Sequence, residues 1–453
     1  MSNDYLLDLF SKQKKFFDSS ITKNPHFCKM HLIKLKEVII AHRFQILEAL
    51  KKDLNKSENE SFICEYLIVM NELKYMIKKI KSFAKKRRVC SSLTTIFSKS
   101  YIINQPYGNV LICSPWNYPF QLSLIPLIGA IASGNTAFLL LSDQTPFINE
   151  VIKSIVHDTF EHDYVSVITK NEVAYENLFD VKYDFVFFTG SKNVGKIIAE
   201  KCASTLTPYI PELGGKCPCI VDDSSNLEKA TRRIARGKLF NAGQTCVAPD
   251  YVLVHENVYE PFIQLLKTKI EKFSRDSIDS SSFPKIINLT HFHRLFSYIK
   301  NDNLVFGGKV DEHNLLIHPT IINENPDEEI FGPILPVLKY KDINEAISLI
   351  KKHDKPLALY IFSKNKKNIA SLISNIDSGG VCVNEVLMQI ANHHLPFGGV
   401  GLSGVGSYHG KYSYAAFSHP RSELVGSNHL DSSLFYPPWT RFKMHIIKLL
   451  FKC

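Results

Sequence analysis

From Gly108 onward the chain alternates short apolar runs with helical stretches, and no other feature narrows the fold as much. Runs at 110–113, 137–141, 165–168 and 185–188 are separated by helical stretches at 120–132, 147–160 and 192–203. Runs this short and this apolar read as strands buried on both faces, and their alternation with helices predicts a parallel sheet. After Leu213-Gly214-Gly215 the pattern resumes. It runs through 220–221, a helix at 226–239, 251–254, a helix at 257–273, then 335–338, 357–362 and 380–383. The 453 residues therefore predict two α/β units, each large enough to bury its own core. No internal repeat with a fixed period is found.

Residues 1–81 read as helical. Leu32, Leu35, Val38, Ile39, Phe44, Ile46, Leu47 and Leu50 keep helical spacing, and Asn55-Lys56-Ser57 marks a break. Residues 82–105 are β-prone and polar, as suits an exposed ribbon. The stretch 122–141 has the length and apolarity of a membrane span. Pro126 and the Ser133-Gly134-Asn135 turn instead divide it into a helix and a buried strand. The tail 442–453 is apolar but carries Lys443, Lys448 and Lys452. It is too short to span and suits an interface, so a peripheral membrane contact is expected there. Residues 1–17 lack the apolar core of a secretory signal, and a cytoplasmic location is expected.

Net charge is +10, from 54 Lys and Arg against 44 Asp and Glu. The densest basic run spans 74–88. Without zinc-finger spacing or an aromatic RNA-binding strand beside it, this run reads as a solvated helix face and linker, and no nucleic-acid partner is expected. Ten cysteines at irregular spacing do not form a disulfide framework. Cys217-x-Cys219 lacks the two-residue gap of zinc motifs, so reduced thiols and no metal are expected.

Six segments could carry chemistry. Phe188-Thr189-Gly190-Ser191, then Gly195, is a strand entering a glycine turn and a helix, where a phosphate can meet backbone N–H groups or the glycines can simply serve the fold. It resembles a P-loop, but Ile197 stands where magnesium would need Ser or Thr. The literal G-x-G-x-x-G at Gly399, Gly401 and Gly404 follows no strand and reads as a glycine-rich loop lining a site or turning the chain. Cys246, after Gly243-Gln244-Thr245, is either a nucleophile or a buried structural thiol. Glu212, before Leu213-Gly214-Gly215, is either a general base for water or thiol, or a paired carboxylate. Ser114-Pro115-Trp116-Asn117-Tyr118-Pro119 follows a strand end, where the Asn117 amide could hold an oxyanion. Glu329-Ile330-Phe331 places a carboxylate and a ring two apart, suited to bracketing a ribose, although a plain turn fits too.

Taken in order, Pro-Trp-Asn-Tyr-Pro, Phe-Thr-Gly-Ser, Glu-Leu-Gly-Gly-Lys, Gly-Gln-Thr-Cys and Glu-Glu-Ile-Phe-Gly-Pro resemble the aldehyde dehydrogenase superfamily. Cys246-Val247-Ala248-Pro249-Asp250-Tyr251, Tyr408-His409-Gly410-Lys411, Phe417-Ser418-His419 and Tyr436-Pro437-Pro438-Trp439 are similar to its class 3, or fatty aldehyde, branch. The resemblance implies an aldehyde dehydrogenase-like α/β fold: two doubly wound domains and a β-ribbon oligomerisation arm. It implies that Cys246 attacks the aldehyde, that Asn117 and the Cys246 N–H hold the oxyanion, that hydride passes to NAD or NADP, and that Glu212 activates water to cleave the thioester. Cofactor contacts are implied at Pro115, Trp116, Asp143, Thr189, Gly190, Ser191, Gly195, Leu213, Glu329 and Phe331. The implied substrates are medium- or long-chain aliphatic or aromatic aldehydes. A non-redox binding protein on the same fold is the alternative.

Two departures from the family pattern modify these expectations. Leu140-Leu141-Ser142-Asp143 stands where the family usually has Lys-Pro-Ser-Glu. A cation is lost and a carboxylate shortened, which predicts weak adenosine binding leaning toward NAD, unless Lys170 or Lys192 reaches in. Pro211 stands where the family has an apolar residue. The expected organisation is a cofactor domain of 1–81 and 106–210, a catalytic domain of 211–420, and an arm with tail of 82–105 and 421–453. An exposed ribbon wants a partner, so a homodimer is expected.

Overall fold

The computed structural model describes residues 3–170, 172–279 and 282–452. After the N-terminal helices come β1 (Arg87–Val89), β2 (Lys99–Pro106), β3 (Asn109–Cys113), β4 (Thr136–Leu140), β5 (Val165–Ile168), β6 (Phe185–Gly190) and β7 (Tyr209–Leu213). Strands β3 to β7 form a wholly parallel sheet in the order β5-β4-β3-β6-β7. The strand order reverses at the β3/β6 pair. In an open parallel sheet the crevice outside the carboxyl ends at such a reversal receives ligands.

Every residue of β3 and β4 is buried, as their unbroken apolar runs require. The helix Pro119–Ser133 is buried on every side, which explains its all-round apolarity without a membrane. Among the described residues no helix is long and apolar enough to cross one. Gly134 turns that helix into β4 with φ 92°, and a Cβ there would lie 2.7 Å from the Thr22 carbonyl oxygen. Asn135 seals the turn, accepting from Gly108 N at 2.9 Å and donating to the Phe417 carbonyl at 2.8 Å.

Strand β7 is absent from the sequence reading because Pro211 and Glu212 interrupt its apolar pattern. It lies at the sheet edge, where a proline is tolerated. Its free side is covered by the glycine-rich loop, through the Glu212–Gly404 bridge and Val405 N donating to the Pro211 carbonyl at 3.0 Å. The expected boundary at 210/211 therefore cuts a strand. Glu212 and Leu213 belong to the first sheet, and the chain leaves it at Gly214-Gly215.

The second unit contains β8 (Pro218–Val221), β9 (Tyr251–His255), β10 (Leu304–Phe306), β11 (Val310–Asp311), β12 (Leu316–Ile317), β13 (Thr320–Ile322), β14 (Ile334–Tyr340), β15 (Ala358–Phe362) and β16 (Gly380–Val383). Seven of these form one sheet, β10-β13-β14-β9-β8-β15-β16, parallel except at the β10–β13 edge. Strands β10 to β13 have two or three residues each, too few to show a period.

The polar ribbon gains a third strand. β17 (Ser418–Val425) pairs antiparallel with the whole of β2, whose other side holds β1. The arm thus begins at Ser418, not at 421. The basic run splits as the solvated-face reading expects. The helix Leu67–Phe83 buries Val69, Leu73, Met76 and Ile80 while Lys74, Lys78 and Lys81 face solvent. Lys86 pairs with Glu423 across the arm at 3.3 Å. The last helix, Arg441–Phe451, buries no residue, and Cys453 lies outside the described residues.

Candidate active site

Strand β6 ends at Gly190, and Ser191 caps the following helix, Lys192–Thr205, by accepting from Val194 N at 3.4 Å. The helix N-terminus, with its free N–H groups and positive dipole end, thereby faces the crevice. A Cβ on Gly190 would lie 2.6 Å from the Phe188 ring, and one on Gly195 2.7 Å from Leu213. Glycine at both is what lets helix and strand close together. The Thr189 hydroxyl is buried here without a partner. Thr189, Gly190, Ser191, Gly195 and Leu213 thus gather at one mouth, with Pro115 and Trp116 beyond the end of the adjacent β3. Asp143 stands apart, in the exposed turn after β4, paired with Lys170 at 3.6 Å. Leu140 packs into the apolar cluster of Leu111, Cys113, Phe188 and Leu213. Lys192 is engaged elsewhere, by Asp354 at 3.2 Å.

The Cys246 loop follows the helix Leu227–Leu239. Asn241, Ala242 and Gly243 are all left-handed, at φ 51°, 51° and 74°. For alanine that conformation is strained, and such strain persists only where surroundings impose it. Here they do. Asn241 N donates to Glu60 Oε1 at 2.5 Å, and its side-chain amide donates to the carbonyls of Asn117 (2.8 Å) and Gln244 (3.1 Å). Gln244 is fully buried and grips Asn241 and Lys285 carbonyls and the Ile287 N–H. Tyr118 and Thr245 share a hydroxyl bond of 2.7 Å. Asn117 Nδ2 donates to the Gln244 carbonyl at 3.0 Å, two residues from the thiol. An amide carries two protons, so one remains for a ligand.

Beneath this loop lies a buried ion pair for which the sequence offered no sign beyond a helix break. Lys56 Nζ donates to Glu65 Oε1 at 2.6 Å and to the Asn117 carbonyl at 2.9 Å, and both side chains are inaccessible to solvent. Glu65 Oε2 accepts from Phe120 N and Gln121 N, at the start of the helix Pro119–Ser133. The pair fixes the peptide that carries Asn117.

Cys246 is half-buried. Burial first, and then the carboxyls of Glu212 and Glu329, push its thiol well above the ordinary range, so the resting group is a thiol rather than a thiolate. Glu212 is 2% exposed, and its Oε1 has no partner. Burial, with Glu329 second, raises its carboxyl to about 8. Glu329 is also raised to about 8, by burial and Asp250, against a hydrogen bond from Gly215 N–H. A Cβ on Gly214 would lie 2.3 Å from Glu329 Oε2, so a side chain there would push this carboxylate from its place. A second buried pair, Lys216–Asp250 at 2.7 Å, clamps that segment. Lys216 donates to the Glu328 carbonyl and Asp250 accepts from Ile330 N. Phe331, with φ 50°, meets Trp116 edge-on at 5.6 Å between ring centres. Lys216 and Asp250 both lie inside motifs legible in the sequence, yet nothing there pairs them.

A thiol, an amide with a spare proton and two carboxyls held toward neutrality therefore converge at the mouth of a doubly wound sheet. The model of the aldehyde dehydrogenase family matches residues 23–422, which include all of these groups. The chain belongs to the aldehyde dehydrogenase family. It is 43% identical over 98% of both chains to the 4,4'-diaponeurosporen-aldehyde dehydrogenase of Staphylococcus aureus. It is 37% identical to aldehyde dehydrogenase family 3 member A2 of Mus musculus, over 97% of this chain and 96% of that one. A solved structure of the substrate-bound state of Staphylococcus aureus AldH superposes with a TM-score of 0.94 at 42% identity, covering 98% of this chain and 99% of that one. The class 3 resemblance and the fold hold, and aldehyde oxidation is the activity of this aldehyde dehydrogenase. The non-redox alternative finds no support, since these relatives are named for the dehydrogenase reaction.

Proposed function

We propose that Cys246, Glu212 and Asn117 carry the oxidation of an aldehyde to its acid. The observation behind this reading is the hydrogen-bonded frame that holds Asn117 against the Cys246 loop, with the unpartnered Glu212 oxygen acting on the same thiol. Glu212, once ionised, takes the thiol proton. Sγ then bonds to the aldehyde carbon, and the new oxyanion accepts from the spare Asn117 amide proton and from Cys246 N–H, each donor worth about 3 kcal/mol. NAD or NADP, when bound, supplies the hydride acceptor. After Glu212 has shed its first proton, it takes another from water. The hydroxide adds to the thioester carbon, the C–S bond breaks and Cys246 leaves as thiolate.

The crevice suits a nicotinamide dinucleotide. The orphaned Thr189 hydroxyl, the helix N-terminus at Ser191 and the glycine turn at Gly190 would face its phosphates beside Pro115, Trp116, Gly195 and Leu213. Glu329 and Phe331 would meet its nicotinamide end. The first sheet with the N-terminal helices would hold the cofactor and the second unit the thiol. Medium- or long-chain aliphatic or aromatic aldehydes are the proposed substrates. NADH or NADPH fluorescence on mixing enzyme, dinucleotide and such an aldehyde tests the function. No signal with either dinucleotide across the chain-length series contradicts it.

A homodimer through the arm is the proposed assembly, because β1 and β17 are open edges and Leu424 and Val425 are exposed. A cytoplasmic enzyme touching membrane through Phe442, Leu449 and Leu450 of the last helix is the proposed location. Light scattering should give twice the chain mass, and a stable monomer at micromolar concentration would refute the dimer. The full chain should pellet with anionic vesicles better than a chain ending at 440, and equal pelleting would refute the contact.

A further inference from the structure

The residue before β8 reaches back to the thiol loop. Cys217 is fully buried. Its S–H donates to the Cys246 carbonyl at 3.4 Å, and its sulfur accepts from Ala358 N, the first residue of β15, at 3.3 Å. Asp250 N donates to the Cys217 carbonyl at 2.9 Å. The segment from Cys246 to Asp250 is thus tied to Cys217 at both ends, and Tyr360 holds its middle by donating to the Val247 carbonyl at 2.5 Å. A cysteine's carbonyl oxygen and its sulfur each lie two bonds from its Cα. A sulfur touching the one therefore lies beside the arc the other sweeps on rotation about Cα–Cβ. In keeping with this, Cys217 is among the groups that raise the Cys246 thiol.

The two thiols differ in what reaches them. Cys246 is half-buried at the mouth of the site. Cys217 is closed off behind it, and burial first, then Glu329, keep it protonated. A small oxidant from solvent therefore meets Cys246 first. We propose that Cys217 is the resolving thiol of a reversible oxidation site, closing a disulfide on Cys246 once a hydroperoxide has oxidised it. The inference rests on the reading of Cys246 as the nucleophile. Glu212 takes the Cys246 proton, Sγ bonds to one oxygen of hydrogen peroxide, and the O–O bond breaks. The leaving hydroxide takes the proton from Glu212 and departs as water, and Cys246 is left as a sulfenic acid. The Cys217 sulfur then bonds to Cys246 Sγ, the S–O bond breaks, and the Cys217 proton leaves with the hydroxide as a second water. The peroxide gains two electrons and the two thiols together lose two hydrogens. A bridged sulfur cannot bond to an aldehyde, and a dithiol reductant returns both thiols. Without a resolving thiol the sulfenic acid is open to a second oxidation, to a sulfinic acid that such a reductant does not reverse.

The test compares wild type with Cys217→Ser, whose hydroxyl can make the same two hydrogen bonds. Each is treated with hydrogen peroxide in the absence of aldehyde, then with dithiothreitol, and assayed against its own untreated rate. Peptide mass mapping after acid quench and thiol alkylation follows each step. Wild type should lose activity as one Cys217–Cys246 bridge per chain forms, and regain nearly all of it as the bridge is reduced. Cys217→Ser should also lose activity, with Cys246 carried to the sulfinic acid, and should recover at least about fivefold less. Absence of the bridge from inactivated wild type, a bridge from Cys246 to another cysteine, or equal recovery of the two proteins overturns the site. A bridge that forms while activity stays full overturns instead the reading of Cys246 as the nucleophile.

Discussion

Replacing Cys246 by alanine is expected to abolish dehydrogenase turnover, whereas Glu212→Gln should fail later in the cycle. Without Sγ no covalent adduct can form. With glutamine at 212 attack and oxidation can still occur on the fraction of thiolate present, but water is no longer activated. A burst of reduced dinucleotide stoichiometric with enzyme should therefore survive, while steady turnover falls about 10²–10⁴-fold, the usual loss on removing a general base. The pH dependence fixes the sign. Burial holds the Glu212 carboxyl at about 8, so below that pH it keeps its proton and cannot accept another. Wild-type acyl release should rise with pH through about 8 and the Glu212→Gln release should not. Stopped-flow traces of both across pH 6–9.5 check this, and full steady activity in either variant would refute the assigned roles.

Lys56→Met should damage the protein without touching substrate. It leaves the Glu65 carboxylate buried beside the two N–H groups it still accepts from, and removes one of two donors to the Asn117 carbonyl. Cutting one partner from a buried ion pair typically costs about 3–5 kcal/mol, because the remaining charge cannot be solvated. The denaturant midpoint should fall accordingly, and kcat should fall with it at temperatures where the variant is folded. Cutting the exposed Lys12–Asp8 pair should leave the midpoint in place. An unchanged midpoint in Lys56→Met would show that the pair holds nothing.

The strands of the first sheet were legible because burial on both faces leaves an unbroken apolar run, and β5 matches its expected limits residue for residue. β7 was not, because Pro211, which an edge strand tolerates, and the buried carboxyl of Glu212 interrupt its apolar run. Both break the pattern for reasons that only the sheet order and the covering loop reveal. Cys246, Glu212 and Asn117 could be named from motifs. What holds them could not, since Lys56–Glu65 and Lys216–Asp250 pair residues whose meeting depends on tertiary packing. The Gly399–Gly404 loop, read as lining a site or turning the chain, covers the free edge of β7 beside Glu212; Gly404 has φ 140°, and a Cβ there would lie 2.6 Å from the Pro211 carbonyl oxygen. Lys170 could be named as a cation able to reach in, but its pairing with Asp143, 27 residues away, depends on β4 and β5 ending together.

The central claim is that Cys246 carries the acyl group and Glu212 releases it. The most direct measurement is mass spectrometry of Glu212→Gln, mixed with a dinucleotide and a medium-chain aldehyde and quenched in acid at the end of the burst. The account predicts one acyl group per chain on the peptide containing Cys246, absent when Cys246→Ala is added. An unmodified Cys246 peptide after a full burst, or the acyl group on another of the chain's cysteines, would contradict it.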